Sequence, residues 1–115
     1  MKIRIKGNSL RYRLTKSDVA SLAMNGFIEE STNFGTQVFK YALRRGMVNS
    51  LSASFEDNTI TIHMPGKMIE EWVYSDRIGF ENSNSAMYLL VEKDFVCLDN
   101  VAEDQSDNYP NPLLC

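Results

Sequence analysis

The chain has 115 residues, of which 43% are hydrophobic and 23% charged, proportions that are ordinary for one globular domain. It contains no apolar run of the roughly 20 residues that a membrane-spanning helix needs. The formal net charge of −3 conceals an asymmetry, because residues 1–45 carry 9 − 3 = +6 and residues 46–115 carry 3 − 12 = −9. Such halves either present a surface for a polyanion or neutralise each other.

The first hairpin is predicted from two alternating segments, residues 2–6 and 10–14, joined by a tight turn at Gly7-Asn8. One face is apolar, and the polar positions of the other are all basic. We call this set the basic face: Lys2, Arg4, Lys6, Arg11 and Arg13. It is the candidate site for an anion or a nucleic acid, through contacts with phosphate groups. The charged, alternating start also differs from a signal peptide, so we expect a cytoplasmic protein.

A short helix and a second hairpin follow. Thr15 and Asp18 have the spacing of a capping box, and Asn25-Gly26 is a typical helix end. Residues 27–31 and 37–43 are then predicted to pair as strands, since turn-forming residues separate them.

From residue 51 the pattern starts again at a constant offset of 50, with Pro65 expected at the first position of a second helix. Sliding one alternating segment over another can produce chance matches, but agreement through strands, helix and hairpin favours one unit used twice. The matched apolar positions are the predicted core: Ile3/Ala53, Ile5/Phe55, Leu10/Ile60, Tyr12/Ile62, Leu14/Met64, Val19/Ile69, Leu22/Trp72, Ile28/Ile78, Phe39/Leu89 and Tyr41/Val91.

These patterns predict a single domain, residues 1–98, made of two repeats (2–43 and 51–93), followed by an acidic, Pro-containing tail at 99–115. The fold class is β-rich α+β, and we expect a small barrel built from two tandem ββαββ units. The alternative is an open antiparallel sheet with two helices on one face. The tail is expected to lie across the basic face and to compete with any anionic partner.

The first unit resembles a known DNA-binding fold. Residues 7–16 (GNSLRYRLTK) resemble the opening of AbrB- and MazE-type swapped-hairpin domains, and His63-Met64-Pro65 resembles the step from strand to helix in the same domains. The resemblance implies a cradle-loop type of barrel formed by interlocked ββαββ chains that bind DNA or a toxin partner. The corresponding hairpin of the second unit departs from this basic pattern, since its polar positions are Ser52, Ser54, Glu56, Thr61 and His63.

The whole chain also resembles a family of small bacterial proteins of unknown function. The matching segments are residues 2–14, 92–99 and 111–115. This resemblance implies a cytosolic single-domain protein and assigns no activity.

Other chemistry-bearing residues give weaker signals. His63 is interpreted as a surface histidine, because no Ser or Cys motif surrounds it in the sequence. Cys97 and Cys115 are expected to be reduced thiols, and their spacing with the tail carboxylates matches no zinc or calcium pattern. We therefore predict no catalytic residue, metal or cofactor.

The predicted function is that of a non-enzymatic binding module with an anionic partner at the basic face. One alternative is an AbrB/MazE-like DNA-binding regulator or antitoxin, and another is an enzyme acting on a phosphorylated small molecule. No membrane partner is expected, and the sequence leaves open whether the protein is a monomer or a homodimer.

Overall fold

The structure, a computed structural model, describes residues 1–95 and 106–110. Within them the order strand, strand, helix, strand, strand occurs twice. The elements are β1 (Lys2–Lys6), β2 (Ser9–Leu14), α1 (Lys16–Asn25), β3 (Phe27–Asn33), β4 (Val38–Gly46), β5 (Ser52–Glu56), β6 (Thr59–Pro65), α2 (Gly66–Val73), β7 (Gly79–Asn82) and β8 (Tyr88–Lys93). The strands β5, β6 and β8 and the helix α2 begin 50 residues after β1, β2, β4 and α1 (52 − 2, 59 − 9, 88 − 38 and 66 − 16). Superposition of the two halves as backbones stays a prediction.

The strands form two four-stranded sheets, each built from both halves of the chain. The first sheet has the order β1-β2-β8-β7, and the second has the order β3-β4-β6-β5. In each sheet the central pair is parallel, β2 with β8 and β4 with β6, while the outer pairs are antiparallel hairpin partners. Each sheet therefore joins one hairpin from the first half of the chain to one hairpin from the second half.

The two helices start differently. Thr15 and Asp18 form the predicted capping box at the start of α1, and Gly26 ends that helix in the left-handed conformation at φ 72°. Pro65 is the last residue of β6 and the N-cap of α2, one position earlier than the sequence predicted. The buried faces of the helices, Val19 and Leu22 in α1 and Ile69 and Trp72 in α2, occupy matched positions.

The core confirms most of the predicted apolar positions. Its fully enclosed members include Tyr12, whose hydroxyl donates to the carbonyl oxygen of Ile60 at 3.2 Å and so links the two sheets. Three predicted core residues are instead exposed: Ile5 at 57%, Phe55 at 67% and Ile78 at 48%. Ile5 and Phe55 lie at matched positions near the ends of the edge strands β1 and β5, where no further strand covers them in the described residues. The sequence pattern missed Ala42, Leu43, Leu51 and Phe80, which are buried.

The prediction of a closed barrel is wrong, because the described strands form two separate sheets with free outer strands. The alternative of an open sheet is closer, although it had one antiparallel sheet and the structure has two mixed sheets. The reason is physical: alternation identifies the buried face of a strand but not its non-local neighbour. The coarser prediction, a β-rich α+β fold with two helices, is confirmed.

The described part of the tail, residues 106–110, lies at the start of α1 and beside the end of β8. Lys16 N donates to Asp107 O at 3.2 Å, and Tyr109 N donates to Asp94 O at 2.9 Å. Hydrogen bonds from the side chains of Thr15 and Ser17 hold the pKa of Asp107 below its usual value. This segment therefore contacts the helix start. Residues 99–105, which were also predicted to cover the basic face, lie outside the described residues.

Candidate anion-binding surface

The basic face is brought together as predicted, on the outer side of the first sheet. The hairpin register places Lys2 opposite Arg13 and Arg4 opposite Arg11, while Lys6 lies opposite Ser9. Tyr12 on the same strand is completely buried, so the arginines on either side of it point away from the core. Two pairs of like charges directly opposite each other are unfavourable unless a counter-charge is near.

That counter-charge comes from the acidic half of the chain. The parallel pairing of β2 with β8 places Glu92 beside Arg13. One carboxylate oxygen of Glu92 accepts from Arg11 Nε at 2.7 Å and from Arg13 Nε at 3.1 Å. Lys2 Nζ lies 3.2 Å from the carboxylate of Asp94, whose side chain is nearly buried. Three of the five cations are thus paired within the chain.

The remaining two, Arg4 and Lys6, are exposed on β1, and neither forms an ion pair in the part of the chain that the structure describes. Both line a shallow depression of about 260 Å³ together with Arg11. The full lining is Arg4, Lys6, Ser9, Leu10, Arg11, Tyr88 and Leu90. The Ser9 hydroxyl donates to Lys6 O at 2.8 Å, and the Tyr88 hydroxyl donates to Glu81. The hydrogen bond to Glu81 raises the pKa of the Tyr88 hydroxyl.

The basic face therefore divides into two parts with different electrostatics. In one part, Lys2 pairs with Asp94, and Arg13 pairs with Glu92. In the other part, Arg4 and Lys6 flank an open depression. The third cation of that depression, Arg11, shares the Glu92 carboxylate with Arg13. Three cationic side chains that line one depression supply charge-assisted hydrogen-bond donors, the kind of group that recognises phosphate-like or sulfate-like anions. Tyr88 was missed because only the pairing of β2 with β8 brings it to this place, beside Ser9.

Comparison with known proteins gives one match. The chain belongs to a family of unknown function, DUF7009. The family model matches residues 1–113 and so includes both sheets and the depression. No curated protein and no solved structure matches the chain.

Membership of DUF7009 confirms the predicted resemblance to a family of unknown function, and it assigns no activity. The bacterial source, the AbrB-like character of the two halves and the cytoplasmic location stay predictions. None of the helices in the described ranges is long and apolar enough to cross a membrane.

His63 has a neighbour that the sequence did not reveal. Its Nε2 lies 3.2 Å from the hydroxyl of Ser54, because β5 and β6 are paired in the second sheet. The sequence motif around His63 did not reveal Ser54, because the two residues lie on different strands, while the interpretation of His63 as a surface histidine stays a prediction. Residues 1–95 and 106–110 provide no carboxylate hydrogen bond to the other ring nitrogen, so the third member of a triad is not observed there.

The predicted thiols and most tail carboxylates cannot be placed. Cys97 and Cys115, like Asp99, Glu103 and Asp104, lie outside the described residues. Asp107 is described, and it binds the start of α1. Among the described residues, no group of three or more His, Cys, Asp or Glu side chains could hold a metal ion.

Proposed function

We propose that this DUF7009 protein is a binding module that holds an anionic group of its partner in the depression lined by Arg4, Lys6 and Arg11. The observation that carries the proposal is the division of the basic face. Asp94 pairs with Lys2, and Glu92 pairs with Arg11 and Arg13. Arg4 and Lys6 remain exposed beside the depression. Exposed cations grouped around a depression attract phosphate and sulfate groups more effectively than isolated ones.

The depression favours a single anionic group over a long charged tract. Its volume is about 260 Å³, which is below the usual range of drug-sized ligand pockets. Glu81 and Glu92 also lie on β7 and β8 of the same sheet, so negative charge limits the positive surface on that side. A polyanion would therefore bind along β1, the edge of the sheet, with Arg4 and Lys6 making its main contacts.

A DNA-binding regulator or antitoxin is the second candidate. It is favoured by the exchange of hairpins, since the β1–β2 hairpin pairs with β8 and the β5–β6 hairpin pairs with β4. The same exchange is implied by the resemblance to interlocked swapped-hairpin domains. Only the first hairpin is basic, so one chain would contact a duplex on one side and would not read two half-sites. The enzyme alternative comes third, because the hydroxyls of Ser9 and Tyr88 already donate to protein oxygens.

The test is binding of pyrophosphate, heparin and duplex DNA by the full chain at low salt. The double variant Arg4→Gln/Lys6→Gln should weaken binding of each bound ligand about tenfold, the loss expected from two phosphate contacts. The matched control is Arg44→Gln/Lys67→Gln, which alters cations of β4 and α2 and gives the same formal net charge (−3 − 2 = −5). It should bind nearly as tightly as the unchanged protein.

A second variant tests the internal pairing. Glu92→Gln removes the carboxylate shared by Arg11 and Arg13, so binding should become tighter if those arginines then turn to the ligand. Pyrophosphate binding would indicate a single-group site, while binding of duplex DNA alone would favour the regulator. Equal losses in the site variant and its control, or no binding of any of the three anions, would contradict the proposal.

A further inference from the structure

A second feature of the molecule is a buried lysine at the end of β8. The Lys93 residue is only 6% exposed. Its ammonium group donates to the carbonyl oxygen of Ser75 at 3.0 Å and lies 5.0 Å from the centre of the Tyr109 ring. Within the described residues no carboxylate forms an ion pair with it. A buried cation with only a carbonyl and an aromatic face as partners is incompletely compensated.

The electrostatics agree with the contacts. Burial lowers the pKa of the Lys93 ammonium, while the charge of Asp76 acts in the opposite direction without reversing the shift. Lysines are rarely enclosed unless they are paired, because the charged form loses its hydration. The ammonium of Lys93 is therefore a group that would gain from an anionic partner.

The lysine lines a cavity between the end of β8 and residues 109–110 of the tail. The cavity has a volume of about 410 Å³, within the range that small-molecule sites occupy. Its lining among the described residues is Asp76, Ile78, Lys93, Phe95, Tyr109 and Pro110. Apart from the two charged side chains, every described wall residue is apolar or aromatic, so the cavity combines one buried cation with a surface suited to an apolar body.

Contacts between the two segments of the chain hold the aromatic wall in place. Phe95 and Tyr109 form a parallel bridge, and the centres of their rings lie 5.8 Å apart. Tyr109 N donates to Asp94 O at 2.9 Å, and the Asn108 side chain donates to Phe95 O at 3.4 Å. A wall held by backbone and side-chain bonds is preformed, and a ligand need not order it on binding.

We propose that this cavity binds a small monocarboxylic acid with an aromatic or aliphatic body, whose carboxylate pairs with the Lys93 ammonium. The body lies against Ile78, Phe95, Tyr109 and Pro110, where it displaces water from apolar surface. Asp76 disfavours a second negative charge, so the cavity selects a monoanion over a di- or triphosphate. This site is separate from the depression of the basic face, since the two share no lining residue.

The protein contains its own reporter of occupancy. Trp72 is the only tryptophan, and its indole N–H donates to the carbonyl oxygen of Ile78 at 3.1 Å. Ile78 lines the cavity, so a bound ligand changes the surroundings of the indole and with them its fluorescence.

The test compares 3-phenylpropionate, hexanoate and benzoate with their neutral amides, using Trp72 fluorescence and calorimetry on the full chain. At least one acid should bind about tenfold or more tightly than its amide, as expected for a charge-assisted hydrogen bond. Lys93→Met should abolish the preference for the acid, whereas Lys67→Met, which removes an exposed lysine of α2, should preserve it.

Two further readouts keep the result interpretable. The 13C NMR signal of the Lys93 side chain reports its pKa, which a bound carboxylate should raise and a bound amide should leave unchanged. Asp76→Asn should tighten acid binding, and Arg4→Gln/Lys6→Gln should leave it unchanged, which separates this proposal from the anion-binding function. Equal binding of acid and amide, acid binding that survives Lys93→Met, or no binding of any acid at roughly millimolar concentration would overturn the proposal.

Discussion

Replacing the tryptophan at the centre of the core is the most direct test of the fold. Trp72 is completely buried in α2 and meets the ring of Phe80 edge to face, with the ring centres 6.2 Å apart. Trp72→Ala removes this packing and leaves the carbonyl oxygen of Ile78 without the indole N–H as a donor. We expect the free energy of unfolding to fall by about 3–5 kcal/mol, the usual cost of truncating a core Trp or Phe to Ala.

A second variant separates the contribution of the indole N–H to stability from that of ring packing. Trp72→Phe retains an aromatic body but loses the N–H, so it should cost about 1–2 kcal/mol, mostly from the lost hydrogen bond and the smaller ring. The assay is urea denaturation followed by circular dichroism, because both variants lack the fluorophore. With a urea slope of about 2 kcal/mol per M, the midpoint should fall by about 2 M for Trp72→Ala. An unchanged midpoint would refute the placement of Trp72 in the core.

Two further predictions concern the close strand contact and the buried lysine. In Gly79→Ala the new Cβ would lie 2.3 Å from Val91 O, so we expect a loss of about 2 kcal/mol or more, against about 1 kcal/mol or less for Gly46→Ala, whose nearest neighbour is 3.4 Å away. Lys93 has a lower pKa in the folded state than its ordinary value of 10.5. At pH values between these two, the unfolded chain binds more protons than the folded chain, so the free energy of unfolding should rise with pH. Urea denaturation up to about pH 9, below the ordinary tyrosine pKa of about 10, checks this. The same rise in Lys93→Met would contradict it.

The sequence was sufficient for local structure and for the faces of the strands. The alternation of residues 2–6 and 10–14 predicted the basic face, and the spacing of Thr15 and Asp18 predicted the helix start. Both depend on residues close together in the chain. The prediction of a closed barrel failed, because the parallel pairs β2–β8 and β4–β6 join strands that are not consecutive in the chain, and local patterns do not report such pairing.

The same non-local pairing determines both candidate sites. Glu92 and Tyr88 reach the basic face only because β8 lies beside β2. Lys93 could have been found, since Leu89, Val91 and Lys93 alternate in register and the first two were predicted to be in the core. A charged residue that continues an apolar alternation is a signal of a buried ion. Residues 106–110, which complete the cavity around it, lie outside any periodic pattern.

The acidic tail remains the predicted competitor of the anionic partner, and the structure changes how this should be tested. Removing everything after Leu98 would also remove Asp107 and Tyr109, which contact α1 and β8. A better variant converts Asp99, Glu103 and Asp104 to their amides and leaves residues 106–110 intact. Its formal net charge becomes −3 + 3 = 0.

A matched control must produce the same net charge without altering the tail, and Glu56→Gln/Asp57→Asn/Glu70→Gln does so with three exposed side chains. If the tail carboxylates compete for Arg4 and Lys6, the tail variant should bind heparin more tightly than this control at low salt. The difference should vanish at high salt, because screening removes weak contacts between exposed charges. Because net charge is equal in the two variants, a general electrostatic effect would strengthen both alike, and equal binding would show that the tail is not a competitor.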